Sequence, residues 1–373
     1  MKRCDALVVG GGPAGSTCAR TLRLAGWNVV LIDRARFPRD KVCGGWLTPE
    51  VFPLLDLKPG EYRATGFTLQ AITGFCTSVL GERAVETRYA DVVSYAIRRC
   101  EFDHCLLRRA DVCVREATAL RTLARRGDAW IVNDEFQTPV VVGAGGHFCP
   151  VARYLQGERD SRRPVIAREA EFRVDPRRTS VASDTPELFF CRDLEGYGWC
   201  VRKGGYLNVG IGRRAHDDFA DHVRDFIAFL TSTGRALEAP DVTWRGHAYH
   251  AMGAGIRPIV GPGVLLTGDA AGLAYPESGE GIKPAIESGL LAAQTLIAAK
   301  SRFGLDELLP YDRALRNAHP PARRTPAPLR PLAPPVGRAL LHSAAFTRHF
   351  VLDRWFLRRA PAGHNPHPSP AVA

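Results

Sequence analysis

The sequence predicts an α/β protein: a Rossmann-like dinucleotide-binding domain, interrupted by an antiparallel β-sheet domain and followed by a helical C-terminal segment. Three observations predict it. An unbroken apolar run, Ala6–Val9, leads into Gly10-Gly11-Gly12-Pro13-Ala14-Gly15 and then a helical pattern. About two-thirds of the chain later, Leu265-Leu266-Thr267-Gly268-Asp269-Ala270-Ala271-Gly272 precedes Pro276, Gly279-Glu280-Gly281 and another helical run. Between them, residues 167–212 alternate apolar with polar side chains and turn often.

The first unit is a βαβ. Ala6–Val9 lacks alternation, as parallel strands buried on both faces do. The helix runs through Leu22 and Leu24 to Gly26, where a C-terminal cap belongs. Val29–Ile32 is the second strand, ending in Asp33. A helix is expected over Arg99–Arg109, then strands near Val112–Val114, Trp130–Val132 and Val140–Val142, closing in the turn Gly143-Ala144-Gly145-Gly146. From Ala167 the period changes to two, with turns at Asp175-Pro176, Asp193–Gly196 and Gly204-Gly205; the last reads as a two-residue hairpin loop between Trp199–Arg202 and Leu207–Gly210. Phe219–Leu230 is an amphipathic helix, Val264–Leu266 returns to the first sheet, and apolar residues after Gly281 recur at helical spacing. Proline-rich sequence from about His319 reads as an extended linker. Ala339–Arg358 then carries Leu341, Phe346, Phe350, Val351, Trp355 and Phe356 among arginines. This helical piece either packs on the body or serves a membrane surface or substrate mouth. Residues after about 360 read as a disordered tail. The division expected is a discontinuous dinucleotide domain (1–60, 92–160 and 252–300), an inserted substrate domain (61–91 and 161–251) and a C-terminal segment (301–373).

Composition narrows the class. The 373 residues are 45% hydrophobic, enough for one large or two ordinary cores. No apolar run reaches the roughly 18 residues of a transmembrane helix, and Ala6–Val9 is too short for a signal-peptide core. The chain is therefore expected in the cytoplasm. Ten cysteines without a C-x-x-C or a completed zinc set fit a reducing compartment and small core side chains. The net charge of +11 comes without a nucleic-acid motif, so no nucleic-acid partner is expected. Such a surface suits phosphorylated cofactors or anionic headgroups.

The two glycine-rich motifs carry the chemistry. Gly10 allows the tight turn, Gly12 lets backbone approach a pyrophosphate, and Gly15 lets the helix pack on the sheet. The helix that starts at Pro13 offers its dipole, and its free N–H groups from Ala14 on, to negative charge. Asp33, about 20 residues on, is placed to accept from an adenosine ribose, with Arg34 adjacent. Asp269, after Gly268, suits ribityl hydroxyls, and Gly279, Gly281 and Ile282 open a helix whose amides suit the N1 and C2 carbonyl region of a flavin, stabilising its anionic reduced form. A lone GxGxxG is ambiguous; the pair points to FAD, held non-covalently. Only one GxGxxG is present, so NAD(P)H or another reductant acts as a transient donor without its own Rossmann domain.

The ordered set Val9–Ser16, Lys41-Val42-Cys43-Gly44-Gly45, Arg99-Cys100-Glu101-Phe102-Asp103, Tyr197-Gly198-Trp199, Lys203-Gly204, Asn208-Val209-Gly210, Gly268–Ala271, Gly279-Glu280-Gly281-Ile282 and Glu287-Ser288-Gly289 resembles the geranylgeranyl reductase family of FAD-dependent oxidoreductases, within the p-hydroxybenzoate hydroxylase-like fold. The resemblance implies that Arg99 reaches the FAD phosphates and that Lys41, Cys43, Gly44 and Gly45 line the flavin. It also implies that Cys43, Tyr197 and Trp199 face the substrate. Read from the residues alone, Cys43 is equally a turn residue and the aromatics equally core. Two departures stand out: Cys200-Val201-Arg202 replaces the family's Phe-Pro, making Arg202 a candidate for an anionic or carbonyl group of the substrate, and Gly145-Gly146 replaces the Asp-Gly of related hydroxylases. The implied activity is hydride transfer to or from a carbon–carbon double bond of a hydrophobic, isoprenoid- or lipid-like substrate. The alternatives are an aromatic or polyketide monooxygenase and a non-catalytic escort of a prenylated partner; the paired tryptophans of halogenases are absent around Trp199.

Overall fold

The computed structural model describes residues 1–157, 163–175, 177, 179–215, 218–235, 242–252, 257–318 and 333–359. Pro176, the proline-rich stretch 319–332 and the tail from 360 lie outside the described residues.

A six-stranded sheet carries the nucleotide motif, in the order 260–261, 264–266, 141–143, 6–9, 29–32, 113–115. The last five strands are parallel, and 260–261 adds an antiparallel edge. The apolar run Ala6–Val9 is buried along its whole length and pairs with Val29–Ile32. Burying each such Val, Leu or Ile contributes about 1.5–3 kcal/mol, which is why this strand lacks a polar face. Pro13–Leu24 and Ile282–Ala298 pack against each other on this sheet, and both begin at its C-terminal edge. Gly289 lies against the carbonyl of Ala14, where a side chain would not fit.

The alternating region forms the centre of a seven-stranded sheet, in the order 245–249, 165–173, 206–214, 196–203, 187–190, 74–79, 85–88. Lys203 pairs with Tyr206, so Gly204-Gly205 is the two-residue hairpin loop expected, and the strands extend beyond the boundaries read from sequence. Strand 187–190 runs parallel to 74–79, a long-range pairing that local pattern did not reveal. Helix Phe219–Ser232 covers one face, packing Val223, Phe226 and Leu230 on Cys200, Val209 and Ile211. The opposite face presents Trp199 and Val201 to Leu341, Val351, Leu352 and Phe356. The C-terminal piece is thus a packed element, comprising Ala333–Leu341, Ala344–Phe346 and the π-helical Thr347–Phe356.

Two smaller sheets complete the fold: 46–47 with 94–97 and 69–72, and 2–3 with 136–138, 129–132 and 123–126. The cysteines are all free thiols; most are buried, whereas Cys113 is exposed and so departs from the expected core role. Among the described residues no cluster of His, Cys, Asp and Glu could hold a metal ion. No helix among them is long and apolar enough to cross a membrane.

Candidate active site

One cavity of about 820 Å³ joins the two sheets. Its wall brings together Gly10, Gly12, Pro13, Ala14, Asp33, Arg34, Lys41, Cys43, Gly44, Gly45, Arg99, Tyr197, Trp199, Gly268, Asp269, Gly279, Gly281 and Ile282. Gly15 lies behind that wall. A Cβ there would sit 1.9 Å from the Gly10 carbonyl oxygen, so this glycine is required for packing.

The residues present fit an FAD. Gly12 caps Pro13–Leu24 without a side-chain hydrogen bond, and the nearest neighbour of a Cβ at Gly12 is the Arg39 guanidinium at 3.5 Å. The first amides of the helix therefore face open space with cations nearby, an arrangement that suits a pyrophosphate. Asp33 already holds the glycine loop: Gly11 N–H donates to Oδ2 at 2.7 Å and Ala35 N–H to Oδ1 at 2.8 Å. A ribose hydroxyl would use the remaining lone pairs. Arg99 is buried and bidentate to Asp103, with both bonds at 2.9 Å, and Arg39 reaches the same carboxylate at 3.2 Å. Burial opposes the Arg99 charge, but Asp103 and the Cys43 sulfur more than offset it and raise its pKa. At the other motif, Gly281 caps Ile282–Ala298 without a side-chain bond, so a second set of helix-start amides is open to the cavity.

A charged cluster absent from the sequence reading crosses between the two sheets. Lys41 Nζ lies 2.6 Å from His247 Nε2, and that nitrogen lies 3.6 Å from Asp269 Oδ2. Burial pushes both Lys41 and His247 below their ordinary values. At 2.6 Å each cation disfavours the charge of the other. Burial pushes the Asp269 carboxyl up, but the His247 hydrogen bond and the Lys41 charge outweigh it and hold the group at about 2. The only advance signal for His247 and Tyr249 was the alternation of Arg245–Tyr249, which turns both toward the cavity.

The Cys43 segment is held by the seven-stranded sheet. Cys43 N–H donates to Glu169 Oε2 at 2.8 Å, and the buried Lys203 ammonium donates to the Cys43 carbonyl at 3.4 Å and to Glu171 at 2.8 Å. Burial pushes the Glu169 carboxyl up against the pull of Lys203 and the Cys43 amide. For Glu171 burial is outweighed by Lys203 and Arg98, and its pKa falls. Gly45 has φ +67°, and a Cβ there would meet the Ile97 carbonyl and the Lys203 ammonium. The aromatic wall joins this network: Trp199 Nε1–H donates to Asn208 Oδ1 at 2.7 Å, and Asn208 Nδ2 donates to Glu169 at 3.3 Å. The Tyr197 hydroxyl donates to the Ser278 carbonyl.

Arg202 is the correction. Strand alternation turns Tyr197, Trp199 and Val201 toward the cavity and Cys200 and Arg202 away from it. Arg202 Nη1 reaches the Val181 carbonyl at 3.5 Å on the helix-covered face, so no arginine occupies the substrate wall at this position. Trp46 and Glu280, given no role by the sequence, line the cavity, as does Phe356 from the C-terminal piece expected either to pack on the body or to serve a membrane surface or substrate mouth. Neither carboxylate oxygen of Glu280 completes a hydrogen bond. Burial pushes that carboxyl up to about 7, opposed by the Lys283 and Arg358 charges.

Known proteins resemble this chain in sequence and in fold. The family model described as FAD dependent oxidoreductase matches residues 5–102. A menaquinone reductase of Mycobacterium tuberculosis is 32% identical over 323 residues, spanning 78% of this chain and 76% of that protein. A digeranylgeranylglycerophospholipid reductase of Methanocaldococcus jannaschii is 27% identical over 343 residues, spanning 84% and 83%. In structure, a geranylgeranyl bacteriochlorophyll reductase-like protein from Thermoplasma acidophilum superimposes with a TM-score of 0.71 at 22% identity, covering 91% of this chain and 88% of that one. It shares the fold. With both FAD motifs on one cavity and these relatives, the chain belongs to the geranylgeranyl reductase family of FAD-dependent oxidoreductases.

Proposed function

We propose that this flavoenzyme moves a hydride to or from a carbon–carbon double bond of a hydrophobic, isoprenoid-like substrate. The observation that carries the reading is that one cavity has both FAD motifs on its charged side and Trp46, Leu188, Tyr197, Trp199, Val201 and Phe356 on its apolar side. Bound FAD would supply the hydride at its N5, after reduction by NAD(P)H or another transient two-electron donor.

The chain's own residues do the rest. Gly10, Gly12, Pro13, Ala14, Asp33 and Arg34 hold the adenosine and pyrophosphate, with Gly15 keeping the helix seated. Lys41, Arg99, Gly268, Asp269, Gly279, Gly281 and Ile282 hold the ribityl and ring end. Gly44 and Gly45 let the Cys43 segment pass close to the ring, and Cys43, Tyr197 and Trp199 hold the reacting carbons against it. The apolar wall excludes water, which protects a hydride donor from side reactions. The menaquinone reductase and digeranylgeranylglycerophospholipid reductase relatives favour isoprenoid-bearing lipids and quinones as the substrate class. Such substrates reside in membranes, and the net charge of +11 favours peripheral contact with anionic headgroups.

The test is anaerobic photoreduction of the purified yellow protein, followed by reoxidation with either oxygen or menaquinone bearing an unsaturated side chain. Faster reoxidation by the alkene, with a saturated product, supports the reading. Reoxidation by oxygen alone would move the protein to the monooxygenases, and a colourless protein would favour the escort role.

A further inference from the structure

We infer that Phe356 is the end wall of the substrate pocket and sets the length of hydrophobic chain that can extend past the reacting double bond. The inference rests on the alkene reading just proposed.

Phe356 is buried at 3% exposure yet lines the cavity. It is held on three sides by rings. Trp46 stacks on it at 5.4 Å and 28°, Tyr197 meets it edge-on at 5.4 Å and 69°, and Phe190 at 6.4 Å and 84°. Trp46 is backed in turn by Phe75 at 4.8 Å. These contacts pack the ring on three sides, so its volume bounds the cavity there. The element that carries it is tied down outside the cavity. The Tyr89 hydroxyl donates to Asp353 at 2.9 Å, and Arg358 pairs with Glu277 at 2.7 Å and covers the Tyr275 ring at 3.9 Å. Its winding is π-helical over Thr347–Phe356, a form that recurs at functional sites.

Space makes the boundary matter. A pocket for one ligand is about 300–1,000 Å³. Here about 820 Å³ must admit both FAD and the substrate. Phe356 bounds the apolar side of that space together with Trp46 and Tyr197. A chain whose reacting double bond sits at Cys43 and Trp199 can therefore carry only a short tail toward Phe356. A longer tail needs the ring removed.

The experiment compares wild type with F356A, F356L and F356W on geraniol, farnesol and geranylgeraniol. Two quantities are read: kcat/KM for alkene reduction, and the Kd of each alcohol for the oxidised holoenzyme from tryptophan fluorescence, to which Trp46 reports directly. F356L keeps most of the packing and guards against an F356A that fails to fold. The expected result is a shift of preference toward the longest alcohol by about tenfold or more in F356A, a smaller shift in F356L, and a shift toward the shortest in F356W. An unchanged order of preference in both the smaller variants and F356W overturns the inference. If none of the alcohols is reduced but their binding preference still shifts with residue 356, the wall stands and the alkene reading falls.

Discussion

Cys43 and Glu169 are joined through backbone and side chain: the Cys43 amide donates to Glu169 Oε2 at 2.8 Å, across 126 residues of sequence. With Lys203 on the Cys43 carbonyl, the seven-stranded sheet grips one peptide residue from both sides. Glu169→Gln keeps the shape but replaces a charged acceptor with a neutral one, a loss of about 1 kcal/mol. Alkylation of Cys43 by iodoacetamide, read by peptide mass spectrometry, is expected to accelerate about fivefold, while FAD affinity changes less than about twofold. Unchanged alkylation would reduce Glu169 to a packing residue.

Gly12 and Gly15 separate binding from folding. A Cβ at Gly12 meets only the Arg39 guanidinium at 3.5 Å, whereas one at Gly15 would strike the Gly10 carbonyl. Gly12→Val is expected to leave the apoprotein's Tm within about 2 °C and to weaken FAD by at least about 100-fold, or about 2.7 kcal/mol. Gly15→Ala is expected to destabilise the apoprotein itself by about 1–3 kcal/mol. Asp33→Asn should fall between wild type and Gly12→Val in FAD titrations. Equal FAD binding by all three variants would place the phosphate cradle elsewhere.

Asp269 is held at about 2 by His247 and Lys41 against burial. A folded value below the unfolded one of about 3.9 means that this stabilisation is full above that pH and is lost as pH falls toward 2. The shift corresponds to about 2.5 kcal/mol. Asp269→Asn should therefore flatten the acid limb of urea-unfolding stability between about pH 4 and 2. At neutral pH it should weaken FAD about 10–100-fold through the lost charged acceptor. Full flavin retention by the variant on dilution counts against the ribityl role.

Glu280 has the opposite sign. Its value of about 7 lies above the ordinary 4.5, so its stabilising contribution is complete at low pH and is lost as pH rises to 7. The facing groups are Lys283 and Glu287 on the helix that follows it, Arg358 after the C-terminal helix, and Tyr275 and Tyr197. Glu280→Gln should abolish a decline on the order of 3 kcal/mol in apoprotein stability between about pH 4.5 and 7. Chemical denaturation at four pH values measures it. A parallel decline in the variant would show that Glu280 is ionised throughout.

Arg202→Ala should leave KM and kcat within about twofold and lower stability by about 1 kcal/mol, through lost stem packing. A selective rise in KM would return Arg202 to the substrate wall.

What the sequence determined by itself is local. The strand–glycine–helix motif, helix Arg99–Arg109, the Gly204-Gly205 hairpin and the helix after Gly281 were all legible, because turn chemistry and hydrophobic period act over a few residues. The glycine motifs pointed to FAD because phosphate and flavin recognition uses backbone at fixed spacing. Tertiary structure decided which side chains meet. Lys41, His247 and Asp269 come from three separate segments, Glu169 reaches Cys43 from another sheet, and Phe356 enters the cavity from the C-terminal helix. No periodic signal encodes such meetings. The face of Arg202 shows the same limit: alternation was plain along its strand, but only the packing of Phe219–Ser232 on one face and the cavity on the other decided which way was in.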